Sequence, residues 1–180
     1  MDRKFSTGDT LELEFPMELK LNRWPAGGVA LERGPLLFAL GVKEEWRIEP
    51  DDKRSTKDFP SWNLYPASPW NYALDIDEKS LDEIEIVERP FKGDPWSLEA
   101  APILLRVPAK KVSGWKLRKL KQIVSDRNNG GKLVKGNFAF TPPLPTQSSL
   151  KRRLAKRRET ITLEPYGCTH LRITLFPSAR

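Results

Sequence analysis

The chain has 180 residues, of which 38% are hydrophobic, enough for one large domain or two small ones with a real core. No apolar run approaches the roughly 20 residues of a membrane helix, and a single cysteine excludes an internal disulfide. The formal net charge of +7 is mostly local, because KRRLAKRR (151–158) carries six positive charges and no negative one.

Alternation of polar and apolar residues predicts strands in the first part of the chain. TLELEF (10–15) and ELKLN (18–22) both alternate with period two, which is typical of half-buried strands. Another strand is predicted to begin at 29–31, and LLFAL (36–40) is typical of a fully buried one. Gly34-Pro35 between them predicts a bend or bulge.

Two spans predict loop instead. Residues 43–70 are rich in Pro, Asp, Ser, Lys and Trp. Residues 125–149 contain SDRNNGG, which is typical of turns, and TPPLPTQSS, whose prolines lack the N–H that a sheet hydrogen bond needs. A short helix capped by Ser149 is predicted over about 148–158. The remaining predicted strands are 71–77, 83–88, 102–107, 115–123, 159–163 and 169–176.

Many short strands separated by Pro/Gly turns predict an all-β fold, a jelly-roll-like β-sandwich. The abundant charged residues suit its edge strands, where charge discourages pairing with other chains.

The only cysteine and the only histidine, Cys168 and His170, lie two positions apart. On a strand at 169–176 they share its polar face with Arg172 and Thr174. A metal site there needs carboxylates to complete the ligand set. A cysteine nucleophile needs an oxyanion hole, and no Gly-rich nest lies nearby. The pattern favours a structural strand with an incidental histidine, so we predict no metal and no cofactor.

A second candidate for chemistry is the carboxylate pair Asp75 and Asp77. On a strand their Cα atoms lie roughly 6.6–6.8 Å apart on one face, and inverting glycosidases use carboxyl pairs about 6.5–9.5 Å apart. Glu83 and Glu85 repeat the pattern eight residues later, which favours ordinary solvent-facing carboxylates. We therefore predict no catalytic residue here.

Aromatic residues are concentrated in SWNLYPASPWNYALD (61–75), which contains Trp62, Tyr65, Trp70 and Tyr72. Exposed rings stack on the apolar faces of sugars, and also on bases in single-stranded nucleic acid. Alternatively, these rings plug the ends of a sandwich and anchor proline-rich loops. The four residues are the candidate carbohydrate-binding residues of the chain.

The basic run 151–158 has the charge to bind phosphates. No recognised nucleic-acid motif accompanies it, and the chain contains no P-loop, GxGxxG, HExxH or GxSxG. A solvated loop or helix face is the favoured interpretation, and nucleic acid and membrane are not expected partners.

Four stretches together resemble one known family. They are GDTLELEFPMELKL (8–21), VALERGPLLFAL (29–40), YPASPWNYALDID (65–77) and ITLEPYGCTHLRITLFP (161–177). In this order they resemble the C-terminal β-sandwich region of glycoside hydrolase family 127, the β-L-arabinofuranosidase-like proteins. Residues 94–117 fit the same region.

The resemblance implies an accessory role for this chain. Family members carry their active site in an (α/α)6 barrel, where zinc holds a cysteine nucleophile, and β-sandwich domains follow the barrel. Cys168 matches the sandwich PYGC position and not the nucleophile, so no catalytic residue is carried over. The expected partner is the barrel catalytic domain, with a plant-type oligosaccharide as its ligand.

The resemblance also implies a division of the chain. Residues 1–42 are expected to be the C-terminal strands of a first sandwich, with open edges, and 43–180 a second sandwich. Three other functions are left open: a carbohydrate-binding module using the aromatic residues of 61–75, an enzyme acting through Asp75/Asp77 or Cys168/His170, and nucleic-acid binding through 151–158.

Overall fold

The computed structural model describes residues 4–48, 55–97, 99–126 and 132–180. Its strands are β1 (Leu19–Trp24), β2 (Gly28–Arg33), β3 (Leu36–Gly41), β4 (Glu44–Ile48), β5 (Trp62–Pro66), β6 (Tyr72–Leu74), β7 (Glu85–Glu88), β8 (Ile103–Lys111), β9 (Arg118–Asp126), β10 (Lys132–Phe140), β11 (Glu159–Pro165), β12 (Arg172–Ile173) and β13 (Phe176–Pro177). The helix α1 spans Gln147–Arg153, and 3-10 turns lie at Pro25–Gly27, Leu81–Glu83 and Tyr166–Cys168.

Nine of these strands form one antiparallel sheet in the order β1-β2-β3-β11-β8-β6. Strand β7 pairs with β8 on the same side as β6, while β12 pairs with β3 and β13 with β2. The prediction of an all-β, sandwich-like fold is confirmed. The predicted strands at 18–22, 29–31, 36–40 and 159–163 are confirmed as β1, β2, β3 and β11.

The sheet curls until its two ends meet. Strands β2 and β3 form a hairpin around Gly34-Pro35, where Gly34 has a φ of 54° that favours glycine. The hairpin then splays, and the C-terminal residues fill the gap: Ile173 pairs with β3 and Phe176 with β2. Ser178 continues to β6 through a parallel bridge to Leu74, so the opposite edge of the sheet is reached.

The core lies inside this curl, and parts of β2, β3 and β8 are buried on both faces, whereas β11 alternates between buried and exposed residues. On β8, Leu105 and Val107 face the main hydrophobic cluster, whereas Leu104 packs with Ala101 and Cys168 in a second small cluster. Burial on both faces explains the continuous apolar runs of β2, β3 and β8, which differ from the alternation of the half-exposed strands.

Two hairpin ribbons stand apart from the main sheet; β4, β5 and β10 lie in spans predicted as loops, whereas most of β9 lies in the strand predicted over 115–123. Strands β4 and β5 pair within 43–70, and β9 and β10 pair within 115–140. The loop predictions for 43–70 and 125–149 are therefore wrong over these strands. Proline falls at the end of β5 or outside the ribbons, so the ladders keep their donors.

Two other local predictions need correction. Residues 10–15 form no strand, and Leu11, Leu13 and Phe15 are 50%, 68% and 74% exposed. The helix begins at Gln147 and ends at Arg153, and its cap is the Thr146 hydroxyl, which accepts from the Ser149 amide. Across the parts of the chain that the structure describes, no helix is long and apolar enough to cross a membrane.

The predicted division at residues 42 and 43 stays a prediction. Strands from both sides of it lie in the one main sheet, since β3 pairs with β11. Residues from both sides also share the main hydrophobic cluster.

Removing a core ring tests this packing. Phe38 is fully buried, so we expect Phe38→Ala to lower the free energy of unfolding by about 3–5 kcal/mol through lost contacts and a residual cavity. Urea denaturation followed by tryptophan fluorescence measures the change. Phe59 is 81% exposed, and Phe59→Ala is the matched control, expected to stay within about 0.5 kcal/mol of the parent. Similar losses in both variants would contradict the described core.

Candidate functional site

The structure separates the four aromatic residues singled out in 61–75. Trp70 and Tyr72 are each only 8% exposed, and Trp70 packs edge-on against Trp115 with ring centroids 5.0 Å apart. Tyr65 is half-buried on β5 beneath the Arg47 guanidinium, whose carbon lies 4.5 Å from the ring centroid. Trp62 alone of the four is an exposed ring. A sugar-binding role for the set stays a prediction.

A small open cleft lies between the β4–β5 ribbon and β12. Its volume is about 140 Å³, below the range of about 300–1,000 Å³ that encloses a drug-sized ligand. The lining is largely apolar and includes two of the predicted residues: Val42, Leu64, Tyr65, Pro66, Trp70, Leu117, Thr141, Leu171, Arg172 and Ile173. The cleft has room for one small group and not for an enclosed oligosaccharide.

A row of three rings lies on the outer surface beside this cleft. Trp46 on β4 is nearly perpendicular to Trp62 on β5, with centroids 6.0 Å apart, and to His170, with centroids 5.7 Å apart. Trp62 is paired with Ile48, two residues after Trp46, whereas His170 contacts Glu44, two residues before it. Trp62 therefore lies beside the C-terminal end of β4 and His170 beside its N-terminal end.

The Glu44 carboxylate contacts two of the three rings and the backbone that leads into β12. Its side chain is only 9% exposed, and its Oε1 accepts from the Leu171 amide at 2.9 Å. Its Oε2 accepts from Trp46 Nε1 at 3.0 Å and lies 3.3 Å from His170 Nδ1. One carboxylate thus fixes an indole, an imidazole and the backbone leading into β12. Nothing in the sequence pattern pointed to Glu44 or Trp46, because both lie in a span predicted as loop.

Asp75 and Asp77 do not form an exposed carboxylate pair. Both follow the end of β6, and Asp75 is buried among cations: Lys110 Nζ and Arg158 Nε each lie 3.1 Å from its Oδ2, and Arg180 Nε lies 3.6 Å from its Oδ1. Asp77 instead accepts from the Ser80 hydroxyl at 2.9 Å. This hydrogen bond lowers the pKa of Asp77. Both carboxylates are thus engaged with partners inside the protein.

The last residue of the basic run takes part in this cluster. Arg158 donates to the Asp75 carbonyl at 2.8 Å and lies 2.5 Å from Glu83 Oε2. Hydrogen bonds from Arg158 and then Arg180 lower the pKa of Glu83. One of the six charges in 151–158 is therefore committed to internal structure, while 151–153 lie in the last turn of α1.

Cys168 and His170 make contacts with different partners. The single strand expected over 169–176 is wrong in extent: Cys168 ends a 3-10 turn, and only β12 and β13 follow. Cys168 is buried, and its Sγ donates to the Pro95 carbonyl at 3.4 Å. Burial, together with Glu164 and Asp94, raises the pKa of the thiol, so the reactive thiolate is disfavoured. His170 faces the other way, onto Glu44.

Glu164 is a carboxylate held near the core with an oxygen that lacks a partner. Its Oε2 is buried without a hydrogen bond, as is the Thr169 hydroxyl. Both pack over Gly41 on β3, where an added Cβ would lie 2.5 Å from Glu164 Oε1 and 3.0 Å from Thr169 Cγ2. Burial raises the pKa of Glu164, as expected for a carboxylate without a compensating donor.

Among the residues that the structure describes, no cluster of three or more His, Cys, Asp or Glu side chains is arranged to hold a metal ion. Comparisons of the chain with family models, curated proteins and solved structures return no match.

The Asp75 cluster generates a stability prediction. Asp75→Asn keeps the size of the side chain and removes the charge that three cations share. We expect the free energy of unfolding to fall by about 2 kcal/mol, below the value for a fully buried pair because the cations are partly solvated. The measurement is the urea midpoint. Glu45→Gln breaks the exposed pair with Arg47 and should leave the midpoint unchanged; an unchanged midpoint for Asp75→Asn would refute the prediction.

Glu164 generates a pH-dependent prediction. The pKa of Glu164 is raised above 4.5 in the folded state. Its contribution to the free energy of unfolding is therefore most favourable at low pH, and is lost as the pH rises through the folded pKa. Glu164→Gln should therefore raise the melting temperature at pH 8 and change it little at about pH 4. Differential scanning calorimetry at both values measures this. Glu12→Gln, at an exposed position, is the control. An equal shift at both pH values would show that charge is not the cause.

Proposed function

We propose that this chain is the non-catalytic C-terminal β-sandwich portion of a family 127-like, β-L-arabinofuranosidase-like protein. Its role is to support a helical-barrel catalytic domain that lies outside these residues. The proposal rests on the four stretches that resemble the family, and on where the fold brings them.

The observation that carries the proposal is that these distant stretches pair with one another. The RGPL stretch forms the β2–β3 turn, and Pro165 of the PYGC stretch pairs with Phe38 of β3. Phe176, in the closing FP, pairs with Val29 of β2. The stretch ending at Asp77 contains β6, which Ser178 bridges. Residues 19–40, 65–77 and 161–177 therefore belong to one packing unit, which includes residues from both sides of the division expected at 42 and 43.

The candidate catalytic groups support the same proposal. Asp75 is neutralised by three cations, and Cys168 packs against Ala101 and Leu104 as a thiol. Each has a structural role that a nucleophile or a general acid would have to abandon.

Association with a catalytic barrel is the direct test. We expect a family 127 barrel, expressed without its own C-terminal sandwich, to co-elute with this chain in size-exclusion chromatography and to melt at a higher temperature in its presence. Hydrolysis of a nitrophenyl arabinofuranoside is assayed in parallel, and the chain alone is expected to show none.

Two outcomes would refute the proposal. One is separate elution of chain and barrel with no change in barrel melting temperature. The other is turnover by the chain alone that disappears in Cys168→Ala, which would make it an enzyme in its own right. Asp75→Asn is assayed in parallel, and it tests whether any turnover depends on the Asp75 carboxylate and not on the Cys168 thiol.

A further inference from the structure

The row formed by Trp46, Trp62 and His170 is exposed to solvent and has a buried carboxylate, Glu44, in contact with two of its rings. Trp46 and Trp62 are 49% and 45% exposed, and the His170 side chain is 67% exposed. Large apolar rings exposed to this extent and in mutual contact indicate a binding surface more often than isolated exposed rings do.

Charge distinguishes this row from an ordinary apolar patch. The Glu44 carboxylate lies behind the rings with 9% exposure. In the part of the chain that the structure describes, the nearest basic side chain to this carboxylate is His170, which is charged only when protonated, and no Lys or Arg stacks on Trp46 or Trp62. A buried carboxylate with an incomplete set of counter-charges makes the surface above it attractive to a cation.

Hydrogen bonding argues against a sugar as the occupant. Sugar recognition needs donors and acceptors directed at hydroxyl groups, in addition to a stacking ring. Glu44 already accepts from Trp46 Nε1 and the Leu171 amide and faces His170 Nδ1. Most of its roughly four acceptor positions are thus occupied. It acts on a ligand through its charge and not through a new hydrogen bond.

An organic quaternary ammonium ion binds to aromatic ring faces and to negative charge, and it needs no hydrogen bond. Cations bind over the faces of tryptophan within about 6 Å of the ring centroid, and groups of aromatic rings recognise quaternary ammonium in this way. We propose that Trp46, Trp62 and His170, backed by Glu44, form a binding site for a quaternary ammonium group. This inference does not depend on the proposed function.

Choline and its neutral carbon analogue, 3,3-dimethylbutan-1-ol, test the proposal on the full chain. The two ligands have the same shape and differ in charge. Titration is followed by the indole N–H signals in ¹⁵N NMR, with Trp46 and Trp62 assigned by Trp→Phe substitution. We expect choline to shift both signals with saturation, and the neutral alcohol to bind about tenfold more weakly or not at all.

Two variants and one control sharpen the test. Trp62→Ala, at an exposed position, should weaken choline binding about tenfold, and Glu44→Gln should weaken it by a similar factor if it remains folded by circular dichroism. Trp24 is an exposed indole, 56% exposed, on β1 of the main sheet, whereas Trp46 and Trp62 lie on the separate β4–β5 ribbon. Trp24→Ala should leave choline binding unchanged.

The source of the ammonium group is resolved by a parallel arm with phosphatidylcholine vesicles. Binding to choline alone identifies a free solute as the ligand, and binding to both identifies a lipid head group. Equal binding of choline and its neutral analogue, no saturable shift with choline, or saturable shifts with an arabinose or arabinan panel in place of choline would each overturn the proposal.

Discussion

The C-terminal residues hold the two ends of the main sheet together, and the positions of the other elements depend on this closure. Strands β12 and β13 lie in the gap where the β2–β3 hairpin splays, and Ser178 reaches β6. The ion-pair cluster around Asp75 reinforces the same junction, because Lys110 belongs to β8, Arg158 precedes β11, and Arg180 is the last residue. Four separate parts of the chain therefore meet at one buried carboxylate.

Local patterning predicted the strands that are stabilised by burial of one face or both. The apolar runs of β3 and β8 and the alternation of β1 and β11 needed no knowledge of their neighbours. The same rule failed for 10–15, where the alternation is as regular but no partner strand lies alongside in the described structure. Alternation reports which side chains suit a sheet, and pairing decides whether a strand forms.

The loop prediction for 43–70 failed for the opposite reason, because two paired strands lie in a span whose composition favours turns. Residues 43–70 contain many turn-forming residues, yet Trp46 and Ile48 pair across to Leu64 and Trp62. Cross-strand contacts of aromatic and aliphatic side chains stabilise such pairs, and composition averaged over 28 residues conceals them. The span was correctly seen as proline-rich, but one proline, Pro66, lies at the end of β5 and the others lie outside the paired residues.

The candidate site could not be read from the sequence because it joins distant residues. Glu44 and Leu171 are 127 positions apart, and no short-range pattern connects them. Conversely, the residues that looked chemical when taken in pairs, Asp75 with Asp77 and Cys168 with His170, were separated by the fold into different environments. Distance along the chain therefore failed to predict these contacts. Residues far apart in the sequence meet in the candidate site, and residues two positions apart have different surroundings.

The segment that precedes β1 has a consequence for how the molecule behaves in concentrated solution. Leu11, Leu13 and Phe15 project into solvent next to β1, whose outer edge has no neighbour in the described sheet. Glu12 and Glu14 are interleaved with them, so two such segments brought side by side would place carboxylates opposite carboxylates. Because like charges facing one another disfavour strand pairing, neutralising these two acids is expected to favour association of the exposed segment with a second copy.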